Sequence, residues 1–178
     1  MARKSLPLSK VYGLLEPGPV LLLTTAKGEQ ANVMTMSWQT MLEFEPPTLA
    51  CVISEQNYTF DILTDTLECV LNIPTVALAH QVVGCGNCSG RTTDKFKAFA
   101  LTAAAASRVR APLIDECYAS IECKVVDTRM VDVYNLFVLQ GCRAWIDPSI
   151  SNPQTLHHRG KGSFMVAGET IKLPSRMK

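Results

Sequence analysis

The sequence predicts a mainly β protein in which small helices are inserted between the strands of a barrel. Apolar, β-branched segments are separated by glycine and proline turns, which is typical of antiparallel strands. Segments with helical spacing are few and short, so a parallel α/β sheet is disfavoured. The 178 residues are 47% hydrophobic and 19% charged, which suffices for a sizeable core. We therefore expect one domain spanning residues 1–178.

The N-terminal part of the chain begins with a predicted β-hairpin. Pro19 to Ala26 is apolar enough for a buried strand, and Ala31 to Trp38 returns antiparallel after a turn at Lys27-Gly28-Glu29. The pair Pro46-Pro47 predicts an extended connection, because proline fixes its own φ. A third strand is predicted from Thr48 to Ser54.

The middle of the chain alternates short helices with one strand. Asn57 to Leu67 has apolar residues at helical spacing, and Cys69 to Ile73 is a strand that Pro74 stops. Thr75 is a plausible N-cap for a second helix that reaches Val83. The remaining middle elements are a small-residue loop from Gly84 to Gly90 and one or two helical turns from Asp94 to Phe99.

The C-terminal part adds two long predicted strands and a mixed tail. The alanine run at 103–106 is either helical or irregular. The other expected elements are strands over Ala119 to Asp127 and Tyr134 to Asp147, joined across Thr128 to Asp132, and tail segments Phe164 to Ala167 and Thr170 to Leu173 around a Gly168 turn.

Composition excludes several classes of partner. The formal net charge is +1 and no basic block occurs, so nucleic acid is not expected as a partner. The longest apolar run, Val20 to Leu23, is far too short to span a membrane. Met1 to Lys4 is basic, but no long apolar stretch comes directly after it and Pro7 interrupts the segment, so no secretory signal is predicted. A cytoplasmic protein without membrane contact is the expectation.

Seven cysteines are present, and without a secretory signal we expect reduced thiols. Four of them lie in apolar strands and are predicted to be small core residues: Cys51, Cys69, Cys123 and Cys142. The Cys85-Gly86-Asn87-Cys88 spacing suits a redox pair, half of a zinc site, or a plain small-residue loop. No second CxxC and no thioredoxin-like βαβ context occur, which favours the loop, and no metal is expected.

A polar-aromatic run, Asn32-Val33-Met34-Thr35-Met36-Ser37-Trp38, is the first candidate binding segment. In an extended chain the hydroxyls of Thr35 and Ser37 point to one face, and an indole stands at the end. This combination suits a flat, partly polar aromatic ligand. An ordinary half-buried strand ending in tryptophan would look the same.

Two further segments have the composition of a phosphate site. At Ser54 to Thr59 a strand ends and a helix begins, so free amides and the helix dipole meet there. Simple capping by Asn57 is the alternative. In the segment after residue 88, Gly90 allows close backbone approach, while Arg91 and Lys95 supply cations. A solvated surface loop is the alternative there.

Together these motifs resemble the flavin reductase-like family, most closely its flavoredoxin type. The similarity covers about residues 10 to 170 and is carried by Asn32-x-Met34-Thr35-x-Ser37-Trp38, Pro46-Pro47, Ser54 to Thr59, Ser89-Gly90-Arg91, Asp94-Lys95-Phe96 and His157-His158-Arg159-Gly160-x-Gly162-x-Phe164. The resemblance implies an FMN-binding split β-barrel of six antiparallel strands with Greek-key topology. It also implies a homodimer with FMN in a groove near the subunit interface.

The resemblance further implies roles for individual residues. Those assigned to the flavin ring and its ribityl chain are Asn32, Thr35, Met36, Ser37, Trp38, Tyr134 and Phe164, the last covering the flavin from the tail. Those assigned to the ribityl-phosphate end are Ser54, Thr59 and Lys95, with Arg91 as a further phosphate contact. No side chain is named as catalytic, because a flavin supplies the reactivity itself.

The expected function is that of an oxidoreductase. It would pass hydride or electrons from NADH or NADPH through FMN to a small-molecule or protein acceptor. One alternative is an FMN-binding electron carrier without nicotinamide turnover, since no G-x-G-x-x-G fingerprint is present. Another is a non-enzymatic interaction domain. His157 and His158 are expected to line the substrate side, bind a nicotinamide phosphate, or anchor the tail.

Overall fold

The computed structural model describes residues 3–11 and 18–175. Its strands are β1 (Lys4–Leu6), β2 (Leu21–Lys27), β3 (Gln30–Met36), β4 (Gln39–Glu43), β5 (Thr48–Val52), β6 (Glu68–Ile73), β7 (Ala103–Ala104), β8 (Leu113–Ile114), β9 (Ala119–Asp127), β10 (Leu136–Ile146), β11 (Leu156–Gly160) and β12 (Ser163–Val166). Its α-helices are α1 (Tyr58–Thr66), α2 (Ala79–Asn87), α3 (Lys95–Ala98) and α4 (Val131–Tyr134). Of the predicted basic start, Met1 and Ala2 lie outside the described residues.

Eight strands form one antiparallel sheet in the order β3-β2-β6-β9-β10-β5-β4, with β1 added beside β10. The hairpins β2–β3, β4–β5 and β9–β10 are local, whereas β5 and β6 are consecutive in sequence but not neighbours in the sheet. The mainly β prediction and its antiparallel hairpins are therefore confirmed. The sheet has eight strands instead of six, because the short β1 and the edge strand β4 also pair.

The order of the strands requires the sheet to curl into a barrel. β3 and β4 stand at opposite ends of the sheet, yet only Ser37 and Trp38 separate them in sequence. Six strand spacings of ~4.8 Å would put these ends roughly 29 Å apart in a flat sheet. The three residue steps from Met36 to Gln39 span at most about 11 Å. The two ends of the sheet therefore meet, and residues 37–38 form the seam of the barrel.

The interior of the barrel is filled by apolar side chains from nearly every strand. Leu21, Leu71, Ile121, Phe137 and Leu139 are among those that no solvent reaches. Their positions alternate along the strands, as expected when one face of each strand is buried. Burial of apolar surface on this scale is the main force that stabilises the barrel.

A second apolar cluster attaches helix α2 to the outside of the barrel. Val82 and Cys85 of α2 pack with Leu22 of β2 and Val33 of β3. The Thr35 hydroxyl of β3 also donates to the carbonyl of Val82 over 2.5 Å. Helix α2 is thus fixed along the outer edge of β3, where the polar-aromatic run lies.

Buried polar side chains hold the loops over the sheet. Asn72 of β6 donates to the carbonyl of Leu22 and accepts from the amide of Ile114 over 2.9 Å. Glu122 of β9 is fully buried and accepts from the amides of Ser107 and Arg108 and from the indole of Trp145. Trp145 therefore belongs to the barrel wall.

Three expectations for the first two thirds of the chain are wrong. The chain does not run extended through Pro46-Pro47 but turns at residues 44–47, because β4 and β5 pair antiparallel. Gly84 to Gly90 is not a loop throughout, since α2 continues to Asn87. The alanine run at 103–106 is not helical: Ala103 and Ala104 form β7 and pair with β8.

Two expectations for the last third also differ from the structure. The second long strand begins at Leu136 instead of Tyr134, because residues 131–134 complete a helical turn that ends at left-handed Asn135. The tail hairpin turns around Lys161 and Gly162, not Gly168, and pairs β11 with β12. Residues 170–173 form no regular element.

All seven cysteines are free thiols. Cys51, Cys69 and Cys123 lie in the core as predicted, whereas Cys142 is only half-buried. Among the described residues no helix is long and apolar enough to cross a membrane. Nor does that part of the chain bring together three or more His, Cys, Asp or Glu side chains that would hold a metal ion.

Candidate functional site

Two hollows lie along helix α2 and meet at its C-terminal end. Both are lined by Gly86 and Asn87. The first, with a volume of about 300 Å³, is called the ring hollow, and the second, of about 180 Å³, the polar hollow. Because they share two lining residues, the hollows form one continuous groove between α2, β3 and the tail hairpin.

The ring hollow is mostly apolar, and none of the described residues that line it is acidic. Its walls come from β3 and the seam, from α2, and from the tail hairpin, and comprise Val20, Thr35, Ser37, Val82, Val83, Gly86, Asn87, His158, Gly162 and Phe164. The rings of His158 and Phe164 are in contact, with centroids 5.1 Å apart. Such a surface suits a flat ring with a few polar edge atoms.

The polar hollow lies at the N-terminus of α1, and Lys95 is the one charged side chain among the described residues that line it. Its lining residues are Asn32, Met34, Gln56, Asn57, Tyr58, Thr59, Gly86, Asn87, Cys88, Ser89, Gly90 and Lys95. The first amides of α1 lack partners within the helix and point towards this end. Asn57 is the N-cap residue, but its side chain does not cap the helix. A single cation beside free helix amides is a suitable environment for a phosphate.

Asn32 joins the barrel to the polar hollow. Its side-chain amide is buried and donates to the hydroxyl of Thr59 over 2.8 Å. Its Oδ1 is also buried and has no hydrogen-bond partner among the described residues. Gly90 packs so closely that a Cβ there would lie 1.9 Å from this oxygen. An unpaired buried acceptor is costly, so Asn32 Oδ1 is available to a donor on a bound ligand.

Lys95 is the buried cation of the polar hollow. Only 6% of the residue is exposed, and its ammonium donates to the carbonyl of Cys85 over 2.7 Å. Burial lowers the pKa of Lys95 below its ordinary value, and the nearby thiols of Cys88 and Cys85 oppose this shift only in part. A bound anion would stabilise the charged form that burial disfavours.

Arg91 and Ser54 are engaged by other groups of the protein beside the polar hollow. The Arg91 guanidinium pairs with Asp61 over 2.6 Å and lies over the ring of Tyr58. The Ser54 hydroxyl accepts from the amide of Gln56. Neither side chain lines the polar hollow. The expected extra phosphate contact of Arg91 is therefore replaced by an ion pair with Asp61.

Apart from Arg91, ten residues are proposed from the sequence, and six of these line the groove. Asn32, Thr59 and Lys95 line the polar hollow, and Thr35, Ser37 and Phe164 line the ring hollow. Four lie outside both hollows. Met36 packs in the barrel core, Ser54 lies in the turn before α1, and Trp38 and Tyr134 are 71% and 60% exposed.

The residues missed by sequence reasoning come mainly from helix α2. Two glycines, Gly84 and Gly86, lie within this helix, where glycine is unfavourable. Gly84 is required by packing, because a Cβ there would lie 2.3 Å from Phe99. At Gly86 the nearest atom would be 3.6 Å away on Thr35, so packing does not explain it. A glycine that faces both hollows is the signal of a close ligand approach.

The CxxC pair does not form an exposed redox site. Cys85 is buried in the cluster beneath α2, and burial raises the pKa of its thiol to about 11 despite the nearby Lys95. Cys88 ends the helix, half-buried, and its Sγ lies 3.4 Å from the carbonyl of Gly84. A thiol with a raised pKa is a poor nucleophile near neutral pH. The arrangement agrees with the small-residue interpretation of this segment.

The fold is shared with known proteins of one class, the split barrels of flavin reductase-like proteins. An FMN-binding domain of a flavin reductase-like enzyme from Shewanella baltica superposes with a TM-score of 0.91 at 24% identity, covering 97% of this chain and 98% of that chain. The flavoredoxin of Desulfovibrio vulgaris superposes with a TM-score of 0.78 at 21% identity, over 88% and 90% of the two chains.

Sequence comparison agrees with the structural likeness. Residues 14–164 match the family described as flavin reductase like domain. A protein of Pyrococcus abyssi described as uncharacterised is 32% identical over 127 residues, which are 71% of this chain and 73% of the relative. The chain belongs to the flavin reductase-like domain family. The resemblance inferred from its motifs is thus confirmed.

Proposed function

We propose that this protein binds FMN in the groove along α2 and acts as a flavin reductase-like or flavoredoxin-like oxidoreductase. The observation that carries the proposal is the pairing of an apolar ring hollow with a polar hollow around a buried lysine, joined at Gly86. The Shewanella baltica domain is described as FMN-binding, which supports this choice of cofactor.

The residues of the polar hollow fit the phosphate end of FMN. A phosphomonoester carries a charge of about −1.5 to −2 near neutral pH, and Lys95 supplies the complementary charge. The first amides of α1 would add hydrogen bonds to phosphate oxygens. The unpaired Oδ1 of Asn32 has the chemistry to accept from a hydroxyl of the ribityl chain.

The residues of the ring hollow fit the isoalloxazine ring. Val20, Val82 and Phe164 offer apolar contact, and the hydroxyls of Thr35 and Ser37 lie on the same side. Strand β3 is at an edge of the sheet, so half of its backbone groups are free of a strand partner. These groups would orient the polar edge of the ring, while α2 and the tail hairpin would exclude water from it.

FMN, when bound, would supply the electron and hydride chemistry. The chain would hold it, orient it and enclose it, and we name no side chain as catalytic. NADH or NADPH is the proposed reductant, with an unidentified small molecule or protein as acceptor. An absorbance spectrum after FMN addition tests the binding: flavin bands that remain with the protein after gel filtration are expected, and their loss would contradict the proposal.

An electron carrier without nicotinamide turnover is the second candidate. The aromatic side chains near the groove, half-buried or exposed, would then form a contact surface for a protein partner. Anaerobic stopped-flow mixing of the FMN-loaded protein with NADH and NADPH separates the two. Bleaching of the flavin bands by either nucleotide supports the reductase, and no bleaching by both supports the carrier.

Replacing Gly86 with alanine is expected to separate stability from FMN binding. The new methyl group meets no atom closer than 3.6 Å, and alanine favours the helix by about 0.5–1 kcal/mol, so thermal stability should rise. The same methyl group would narrow the junction of the two hollows. Overpacking costs ~1–3 kcal/mol, so FMN affinity should fall about tenfold or more.

Gly84→Ala is the matched control for that substitution. It lies in the same helix, but its Cβ would overlap the ring of Phe99 at 2.3 Å, so stability should fall instead. Thermal unfolding without FMN and fluorescence titration with FMN measure the two effects. Wild-type FMN affinity in Gly86→Ala would show that the cofactor does not cross the junction.

We also propose that the protein is a homodimer. Trp38, Leu42 and Tyr134 are large apolar residues that are more than half exposed. Trp38 and Tyr134 lie near the same end of β5, because the amide of Val52 in that strand donates to the Trp38 carbonyl and Val52 pairs in register with Leu136, two residues after Tyr134. Leu42 lies further along β4, the strand that begins at the seam, so a second copy that packs along β4 from this end would cover all three side chains.

Light scattering of the wild type should give about twice the 19.5 kDa of one chain. Leu42→Asp is expected to produce a monomer, because it places a charge in the proposed interface. Val126→Asp, an equal change at an exposed residue of β9, should leave the dimer intact. A wild-type monomer would contradict the proposal.

A single domain over residues 1–178 and a cytoplasmic location remain predictions.

A further inference from the structure

The tail hairpin β11–β12 carries a cationic tip beside the ring hollow. Its base is fixed to the barrel, because the Leu156 carbonyl accepts from the amide of Val20 over 2.7 Å. Between residues 148 and 168 the sequence has no Asp or Glu, whereas Arg159 and Lys161 lie at the tip. Both cations are exposed, and within the described residues neither takes part in an ion pair.

The backbone at the tip is irregular in a way that frees these two side chains. The strand register shifts between His158 and Gly160, so Arg159 is the extra residue of a β-bulge. A bulge re-aims the side chain that it carries. Lys161, which follows Gly160, has a φ of 49°, a left-handed conformation that is uncommon for a residue other than glycine. Such conformations concentrate at functional sites.

The position of the tip places the two cations next to the walls of the ring hollow. His158 precedes Arg159 and lines the hollow, and Gly162 follows Lys161 and also lines it. Lys95, the cation proposed to hold the FMN phosphate, lies in the other hollow. One cationic centre therefore lies in the polar hollow and a second lies beside the ring hollow, and FMN has a phosphate for only one of them.

We propose that Arg159 and Lys161 bind the phosphate groups of a nicotinamide dinucleotide whose nicotinamide enters the ring hollow. The inference rests on the proposed FMN site and extends it to the second ligand. Arginine binds phosphate oxygens with two parallel N–H donors, and lysine adds a mobile point charge. The described residues that line the ring hollow include no acidic side chain that would repel an anionic ligand.

Equilibrium titration of the FMN-loaded protein with NADP⁺ and NAD⁺ tests the proposal. The oxidised nucleotides transfer no hydride, so the change in flavin absorbance reports binding alone. The variant carries both R159Q and K161Q, and Lys124→Gln, an exposed lysine of β9, is the matched control. Two exposed charge contacts together contribute about tenfold in affinity, so the double variant should bind about tenfold more weakly than the control.

The salt dependence and the choice of nucleotide give further readouts. Binding by the wild type should weaken with salt more steeply than binding by the double variant, since phosphate contacts are screened. A loss for NADP⁺ alone assigns the 2′-phosphate, and an equal loss for both nucleotides assigns the pyrophosphate. FMN affinity should be the same in all variants.

Equal nucleotide binding by the double variant and the Lys124→Gln control would overturn the inference, as would a wild type that binds neither nucleotide. In both cases FMN would still bind, so the proposed function would stand. A protein that does not bind FMN overturns the proposed function and this inference with it.

Discussion

Replacing Lys95 with glutamine should weaken FMN binding about 100-fold. Lys95 is the one charged side chain that lines the polar hollow, and it is buried, so solvent screens it little. Hydrogen bonds to charged groups contribute about 1.5–3 kcal/mol, which corresponds to roughly 10- to 150-fold in affinity. Glutamine retains a donor for the carbonyl of Cys85 but not the charge. Fluorescence titration with FMN measures the effect.

Riboflavin and Lys97→Gln provide the controls for Lys95. Riboflavin lacks the phosphate, so wild type and Lys95→Gln should bind it equally well. Lys97 lies in the same short helix but is exposed, and its replacement should change FMN affinity little. If riboflavin binding falls as much as FMN binding, then Lys95 acts only as a support for the end of α2.

The pH dependence of FMN binding should follow the Lys95 ammonium. Burial lowers the pKa of Lys95, so its charge is lost at a lower pH than that of an exposed lysine. Affinity is expected to be full below this pKa and to decline as the pH rises through it. At the acid end affinity should decline below about pH 6, where the phosphate takes up its second proton. Lys95→Gln should lose the alkaline decline and keep the acid one.

Replacing Glu122 with alanine should destabilise the protein by about 4 kcal/mol, because each hydrogen-bond donor left unpaired in the interior costs about 1–3 kcal/mol and Glu122 pairs several of them. Glu122 is fully buried and accepts from two loop amides, the Ser107 hydroxyl and the Trp145 indole. Without the carboxylate these donors are left unpaired inside the protein. For a chain of this length the melting temperature should fall by roughly 8–16 °C.

The control for Glu122 is another carboxylate that accepts a loop amide. Glu116 accepts from the amide of Thr102 over 3.0 Å but is half-buried, so Glu116→Ala should cost at most about 1 kcal/mol. Chemical denaturation of both variants measures the difference. Equal losses would contradict the role assigned to Glu122. FMN affinity of the folded Glu122→Ala protein should be unchanged, since Glu122 lines neither hollow.

Acid should lower the folding stability of the wild-type protein through protonation of the Glu122 carboxylate. Burial raises the pKa of Glu122, but the hydrogen bonds from Trp145, Ser107 and Arg108 outweigh it and hold the pKa below its ordinary value. A pKa that is lower in the folded state adds stability above the unfolded pKa, near 4.3. This contribution is lost as the pH falls through the folded pKa. Glu122→Ala should therefore show a weaker loss of stability below about pH 4.5 than the wild type.

Local patterns predicted those parts of the site that depend on a single strand. Thr35 of β3 and Ser37, which directly follows the strand, alternate with Met36 and line the same hollow. The same alternation turns Met36 into the core. Positions that depend on the approach of other elements were not predictable. Ser54 and Arg91 have the right chemistry, but a nearby amide and Asp61 engage them instead.

Glycine content misled the prediction for helix α2. Gly84, Gly86 and Gly90 suggested a loop, because glycine disfavours helices by about 1 kcal/mol relative to alanine. The helix is nevertheless stabilised by the packing of Phe99 against Gly84 and by the hydrogen bond from the Thr35 hydroxyl to the Val82 carbonyl. Thr35 comes long before α2 in the sequence and Phe99 comes after it, so the sequence of the helix does not show either contact. Only the folded chain shows that the helix reaches Asn87 and separates the two hollows.

The two-residue link at Ser37 and Trp38 also determines where the chain tolerates insertions. Residues added there would let β3 and β4 move apart, and the two edges of the sheet, which are not hydrogen-bonded to each other, would become more accessible to strands of other molecules. An equal insertion at residues 151–153, in an exposed bend before the tail hairpin, would leave the two ends of the sheet together. The short link thus limits access to both edges of the sheet, besides bringing the polar-aromatic run to the groove.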